Sequence, residues 1–179
     1  RKNSFEFMSF PQQVMNSFFM AASTRSAGFL TVASHKLQQS SLLNCMVQSF
    51  IGSAPGSTGS GIKITTMALF VGTMHSAVNG KKTVDIMGRR IMRDQIYKSV
   101  SVVTLSLFWI FVVTFFLLIT EQNWSFLDIL FETVNAFTTL GITISITPHL
   151  SIIGKILIIL TMFVGRIGSL TLMIALRKR

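Results

Sequence analysis

Residues 124–144 read WSFLDILFETVNAFTTLGITI, and the fold turns on where this stretch is placed. Upstream lies VSVVTLSLFWIFVVTFFLLIT, residues 100–120, 21 residues without a charge. As a helix that is about 31 Å, enough for the hydrocarbon core of a bilayer. Downstream, residues 150–176 form a second apolar span, with Lys155 near its start and Arg166 in its middle. Bases precede the first span, Glu121 follows it, and Arg177, Lys178 and Arg179 follow the second. The positive-inside rule then sends the first span outward and the second inward. Residues 121–149 must begin and end outside, yet they are apolar and too short to cross twice. The pattern predicts a re-entrant segment: a short helix over about 124–137, then an extended return over 138–147. Such backbone is tolerated at membrane depth only where protein or a water-filled cavity surrounds it.

Composition points the same way. The chain has 179 residues, half of them hydrophobic and only 12% charged, with sixteen Phe and ten Met. Soluble domains carry about 25% charged residues. The apolar content excludes a disordered chain. Cys45 is the only cysteine, which excludes a disulfide scaffold. Sixteen Lys and Arg against six Asp and Glu give a net charge of +10. Six of those bases, Lys81, Lys82, Arg89, Arg90, Arg93 and Lys98, gather between the apolar regions. That is the pattern of cytoplasmic loops beside membrane spans rather than a nucleic-acid footprint. The chain opens on Arg1 and shows no signal peptide, so a piece of a longer protein is expected.

The first half follows the same plan. FPQQVMNSFFMAA, residues 10–22, is a short helix with Pro11 at its start. STRSAGF follows, and then a long apolar region over 42–78, broken by IGSAPGSTGSG at 51–61. Aligning the halves sets Ser23-Thr24-Arg25-Ser26-Ala27-Gly28-Phe29 on Ala136-Phe137-Thr138-Thr139-Leu140-Gly141-Ile142, so that Gly28 and Gly141 fall together. Residues 100–176 make a whole unit of helix, re-entrant loop and helix. Residues 1–80 make the same unit without its first helix. Repeats of this kind are common in transport proteins.

A short helix followed by a Thr-rich stretch and a glycine can build an ion filter, in which backbone carbonyls replace the water around a cation. Glycine permits the dihedrals that turn successive carbonyls the same way. Thr139-Leu140-Gly141 resembles the Thr-Val-Gly core of potassium-channel filters. Alone the triplet reads sooner as an ordinary strand-turn; the repeat, with glycine at one position in both loops, favours the filter.

With these motifs in order, the chain resembles the Trk/Ktr/HKT potassium transporters. STRSAGF resembles their third-repeat filter, and IGSAPGSTGSGIKITT the interrupted pore-lining helix after it. FETVNAFTTLGIT, ITPHLSIIGK and MFVGRIGSLTL resemble the fourth-repeat pore helix, filter and final helix. The resemblance covers nearly the whole chain. It implies an all-α membrane protein of potassium-channel-like repeats, four around one pore. Here residues 1–80 would be the third-repeat pore helix, filter and broken helix, 81–98 a basic cytoplasmic loop, and 99–179 the fourth repeat. The filter would comprise Arg25, Ser26, Ala27, Gly28, Thr138, Thr139, Leu140 and Gly141, with K+ held by their backbone carbonyls. The gate would comprise Gly52, Pro55, Gly56, Gly59, Gly61 and Arg166. The family often has Thr at Ser26, and glycine or serine patterns that Ser53, Ala54 and Ser60 alter modestly.

Other readings of the same residues are weaker. Gly56 and Gly61 have P-loop spacing, but Ile62 stands where the lysine belongs and Lys63 comes one residue late. The serines and glycines suit a movable, solvated gate; the plain alternative is a passive kink. Arg166, eleven residues past Lys155, lies about 16 Å deeper along a helix. An unpaired charge there is costly, so it should face protein or water. It is expected to face the 51–61 loop and oppose cations, or else to be a structural arginine on backbone carbonyls. Glu132 is expected to accept hydrogen bonds from amides behind the filter, with Arg25 one candidate partner. Arg25 should line the filter by its carbonyl only, its guanidinium turned away. His35, His75 and His149 lack metal-ligand spacing. Cys45 lacks a nearby base and reads as a buried apolar residue.

The sequence therefore predicts a multi-pass protein of the plasma (inner) membrane, with residues 81–98 and 177–179 cytoplasmic. It is not an enzyme and has no covalent cofactor. It moves K+, with Na+ as a competitor the sequence leaves open. The resemblance implies as partners the N-terminal half of the subunit, a second full subunit in a homodimer, a cytosolic nucleotide-binding regulatory subunit and the lipid bilayer, but no nucleic acid. A secondary transporter with re-entrant hairpins and a nucleotide-binding membrane protein are the rival classes.

Overall fold

The computed structural model describes residues 8–31, 37–52, 54–57, 59–80, 83–86 and 89–167. Expectations for His35, Ser53, Lys81, Lys82, the end of the second span and residues 177–179 lie outside them. The described chain is helical. In order it has α1 (Phe10–Ser23), α2 (Gln39–Phe50), α3 (Ile64–Val78), α4 (Arg93–Thr120), α5 (Phe126–Thr138) and α6 (Ile152–Ile167), with a 3-10 turn at Thr147–His149 before α6. A two-residue antiparallel pair, β1 (Asp85–Ile86) with β2 (Arg89–Arg90), precedes α4, with Asp85 opposite Arg90.

Helix α4 starts seven residues before the apolar run that announces it, so Arg93 and Lys98 stand on its first turns and not in a loop. Its 28 residues span about 42 Å. Among the described residues it is the helix long and apolar enough to cross a bilayer. Its outer face is Phe108, Phe111, Phe115 and Ile119, all exposed. Its inner face is Val103, Ser106, Ile110, Val113 and Leu117, all buried.

Helix α5 is the centre of the molecule. Ser125 caps it by accepting from the Asp128 amide (3.3 Å), while the Asp128 carboxylate accepts from the Ser125 hydroxyl (2.7 Å). The carboxylate in the first turn also favours the positive helix end. α2, α4 and α6 pack around α5, and every side chain from Phe131 to Thr138 is buried. One side of it joins Val113, Leu117, Leu150 and Ile158 in a seam with α4 and α6. The other joins Met20, Leu42 and Met46 of α1 and α2.

Two glycines let α6 approach. A Cβ at Gly165 would overlap the carbonyl of Phe137 in the last turn of α5. A Cβ at Gly154 would lie 2.5 Å from Oε1 of Glu121. Buried Glu121 accepts from the Ser151 amide at 2.9 Å and so ties the end of α4 to the start of α6. The negative charge there favours the N-terminus of α6.

Gly165→Ala should push α6 off α5 at a cost of about 1–3 kcal/mol, typical of overpacking. Thermal unfolding in detergent should show a lowered midpoint, whereas Ile159→Ala, on the exposed face, should leave it nearly unchanged.

Candidate ion filter and gate

The chain leaves the carbonyl end of α5 and turns at once. Thr139 has φ +47°, and Gly141 has φ +82°. The chain leaving α1 does the same: Ser26 has φ +63° and Gly28 φ +73°. The internal alignment sets Ser26 on Thr139 and Gly28 on Gly141, so both pairs of left-handed residues fall in register. Left-handed Ser and Thr persist only where surroundings hold them. Besides these four, Ser145 is the one other non-glycine with positive φ among the described residues.

The two segments also meet. A Cβ on Gly28 would lie 3.4 Å from the Gly141 carbonyl oxygen and 3.5 Å from that of Leu140. A Cβ on Gly141 would lie 3.1 Å from the Gly28 Cα. The left-handed backbone disfavours a side chain at both positions, and at Gly141 the close Gly28 backbone also leaves little room for one. The C-terminal ends of α1 and α5, each carrying about half a negative charge, lead into this meeting point.

Side chains at each helix end fix the residue just past the glycine. Asn135 is buried; its Oδ1 accepts from the Ile142 amide (3.2 Å) and its carbonyl from the Leu140 amide (3.1 Å). In the first half, the Ser23 hydroxyl donates to the Phe29 carbonyl. Phe29 and Ile142 are aligned, so one position is held in both halves by different chemistry. Thr139 Oγ1 is buried without a protein partner.

Glu132 anchors the return of the chain. It is 3% exposed, and its carboxylate accepts from the Thr143 hydroxyl (2.9 and 3.1 Å) and from the Thr147 hydroxyl. These partners are hydroxyls of the return, not the backbone amides expected from the sequence. Ile142, Ile144 and Ile146 alternate inward with Thr143 and Ser145 between them. Arg25 is not the partner of Glu132 either. It is exposed, and its Nη1 donates to the carbonyls of Ile51 (2.7 Å) and Gly52 (3.3 Å). The guanidinium thus links the segment after α1 to the start of the glycine-rich loop.

That loop is closed at its neck. The Gly52 amide donates to the Ile62 carbonyl (2.8 Å) and the Ile62 amide to the Phe50 carbonyl (3.2 Å). Gly52 and Gly61 allow this approach, since a Cβ on Gly52 would overlap the Ser60 carbonyl and one on Gly61 would lie 3.0 Å from that of Ser49. At the tip, Ala54-Pro55-Gly56-Ser57 is a type II turn: the Ser57 amide donates to the Ala54 carbonyl (3.1 Å), and Gly56 takes φ +85°. Lys63 Nζ donates to the carbonyls of Ser57 and Gly59, both at 2.8 Å. Arg166 is exposed on α6, one residue past Gly165. It therefore stands at the level of the carbonyl end of α5.

Residues 2–179 match the profile of the TrkH family, described as cation transport proteins. The chain belongs to the TrkH family of cation transport proteins. It is 40% identical over 162 residues to the Ktr system potassium uptake protein B of Bacillus subtilis, covering 90% of this chain and 36% of that protein. It is 32% identical over 170 residues to the potassium/sodium uptake protein NtpJ of Enterococcus hirae, covering 93% of this chain and 38% of that protein. The chain thus spans little more than a third of the length of these relatives. Its fold matches the crystal structure of the potassium transporter TrkH from Vibrio parahaemolyticus with a TM-score of 0.75. There the identity is 20%, with 97% of this chain and 39% of that one covered.

Several residues that position this site were not singled out from the sequence of this family member. Asn135 carries a signal, as a lone amide in an apolar helix. Gly154 and Gly165 carry another: eleven residues is three turns, which sets both on one face of α6. Thr143 and Thr147 carry none, because their role depends on a chain reversal that brings them back to Glu132.

Glu132→Ala would leave both hydroxyls without their carboxylate. A loss of about 1–3 kcal/mol in thermal stability is expected. Glu132→Gln, which keeps one acceptor, should lose less.

Proposed function

We propose that this chain supplies two walls of a potassium-conducting filter, together with a loop and an arginine that gate it, in the membrane-embedded pore subunit of an uptake system. The observation that carries this reading is the pair of left-handed residues repeated at Ser26/Gly28 and Thr139/Gly141, with Gly28 and Gly141 in backbone contact. Family membership and the names of the potassium uptake relatives support it.

In this mechanism a cation sheds part of its water and is held by carbonyls of residues 25–28 and 138–141. Thr139 Oγ1 is a further oxygen that the protein leaves unclaimed. The carbonyl ends of α1 and α5 lower the energy of a cation there. Two further segments, outside this chain, complete the coordination. α1 and α5 are re-entrant, the loop between α2 and α3 projects into the path below the filter, and Arg166 adds a positive barrier beside it. The membrane potential drives entry with about 2.3 kcal/mol per charge at 100 mV. The exposed apolar faces of α4 and α6 contact lipid or the other repeats. The basic segment before α4 lies in the cytoplasm, where a regulatory subunit docks, as the resemblance to a Ktr system protein suggests.

The geometry speaks against a nucleotide site. A P-loop lysine points at phosphates, whereas Lys63 donates to carbonyls of its own loop. A secondary transporter would show saturable, substrate-coupled flux.

Rubidium uptake in a potassium-uptake-deficient bacterium tests the reading, with this chain expressed alone and with a matching N-terminal half. Uptake only with both halves is expected. Gly28→Ser and Gly141→Ser should each impair it at unchanged protein level. Uptake by this chain alone would sink the two-wall account. Arg166→Gln should raise the flux; an unchanged flux in folded protein would remove Arg166 from the gate.

A further inference from the structure

Asn135, buried near the end of α5, holds the chain on both sides of Gly141. Its carbonyl accepts from the Leu140 amide at 3.1 Å, and its side-chain Oδ1 accepts from the Ile142 amide at 3.2 Å. A peptide unit is a rigid plane, and among the described residues none is cis. Each N–H therefore points opposite to the C=O of the residue before it. Drawing the Leu140 amide back to Asn135 turns the Thr139 carbonyl away from Asn135. Drawing the Ile142 amide back does the same to the Gly141 carbonyl. Thr139 and Gly141 are the left-handed residues of this segment. The neighbouring segment agrees: a Cβ on Gly28 would lie 3.4 Å from the Gly141 oxygen, so that carbonyl faces Gly28.

The first half uses another device. The residue aligned with Asn135 is Ala22, which has no side-chain acceptor. The Ser23 hydroxyl donates instead to the Phe29 carbonyl, one peptide beyond the aligned one. Of the two segments, the amide lever belongs to the second.

We infer that Asn135 is a specificity-determining positioning residue: by holding the Leu140 and Ile142 amides it aims the Thr139 and Gly141 carbonyls at the cation, and so sets the preference for K+ over Na+. This rests on the filter reading above. Asn135 acts through the peptides it holds and is not itself an ion ligand. A filter discriminates by the size of its cage or by the number and strength of the carbonyl dipoles around the ion, and both depend on carbonyls that keep their direction. Without Oδ1 the Ile142 amide loses its partner, and glycine offers little resistance to a turn of the Gly141 peptide toward a smaller ion.

The test uses the complete pore subunit in proteoliposomes, with the ratio of rubidium to sodium flux as the readout. Asn135→Leu keeps the volume and removes the acceptor. Losing a buried hydrogen-bond partner shifts a two-state equilibrium by about tenfold, so the ratio should fall by that order. Asn135→Asp, which keeps an oxygen in the place of Oδ1, should hold the ratio near the parent. Thr133→Val removes a buried hydroxyl that bonds within α5; it should lower thermal stability at most and leave the ratio alone. A parent-like ratio in folded Asn135→Leu protein, or a ratio lost equally in Asn135→Asp, would overturn the inference. Gly141→Ser separates it from the filter reading. If Gly141→Ser lowers rubidium flux and Asn135→Leu leaves the ratio unchanged, the positioning role falls and the filter stands. If Gly141→Ser changes neither flux nor ratio, both fall. Asn135→Ala is the second variant; if neither it nor Asn135→Leu accumulates as folded protein, Asn135 serves folding alone and the inference is overturned.

Discussion

Two backbones touch at Gly28 and Gly141, and much of the surrounding structure can be traced to that contact. Neither position has a backbone conformation that suits a side chain, and Gly141 has little room for one. Chains in such a state make few of the regular hydrogen bonds that helices supply. Their amides and carbonyls must be satisfied by neighbours, or held ready for a ligand. The burial of α5, the cap at Ser125 and the close seat of α6 on Phe137 all serve to hold one of the two segments still.

The two halves meet this demand unequally. α5 runs helical to Thr138, whereas α1 ends at Ser23, which aligns with Ala136. Beyond α5, a buried amide, a buried carboxylate and two threonine hydroxyls hold the return. Beyond α1, one serine hydroxyl and a guanidinium that reaches another element take their place. α1 also leaves Phe10, Met15 and Phe18 largely exposed, where α5 has neighbours on several sides. The segment after α5 is thus secured by its immediate surroundings, and the segment after α1 partly through the glycine-rich loop.

Much of the helical layout was legible in the sequence, because hydrophobic runs and their breaks are local. The short helices come within two residues of where spacing put them, and the apolar region over 42–78 breaks where Gly and Pro cluster. The start of α4 was not legible: Arg93 to Lys98 are polar enough to read as loop, yet helix propensity and the acid at Asp94 carry the helix through them. At the site, glycine spacing showed which backbone positions are special. It did not show what holds them. The partners of Glu132 and Arg25 lie eleven to 27 residues away along the chain, and only the folded path decides them.

The pinched neck of the glycine-rich loop has an evolutionary consequence. Because Gly52 and Ile62 join across it, the end of α2 and the start of α3 stay side by side whatever residues the loop between them carries. The segment behaves as an interchangeable cassette between two fixed terminals. A change at its tip, at Ala54 for instance, then meets that join before it meets either helix.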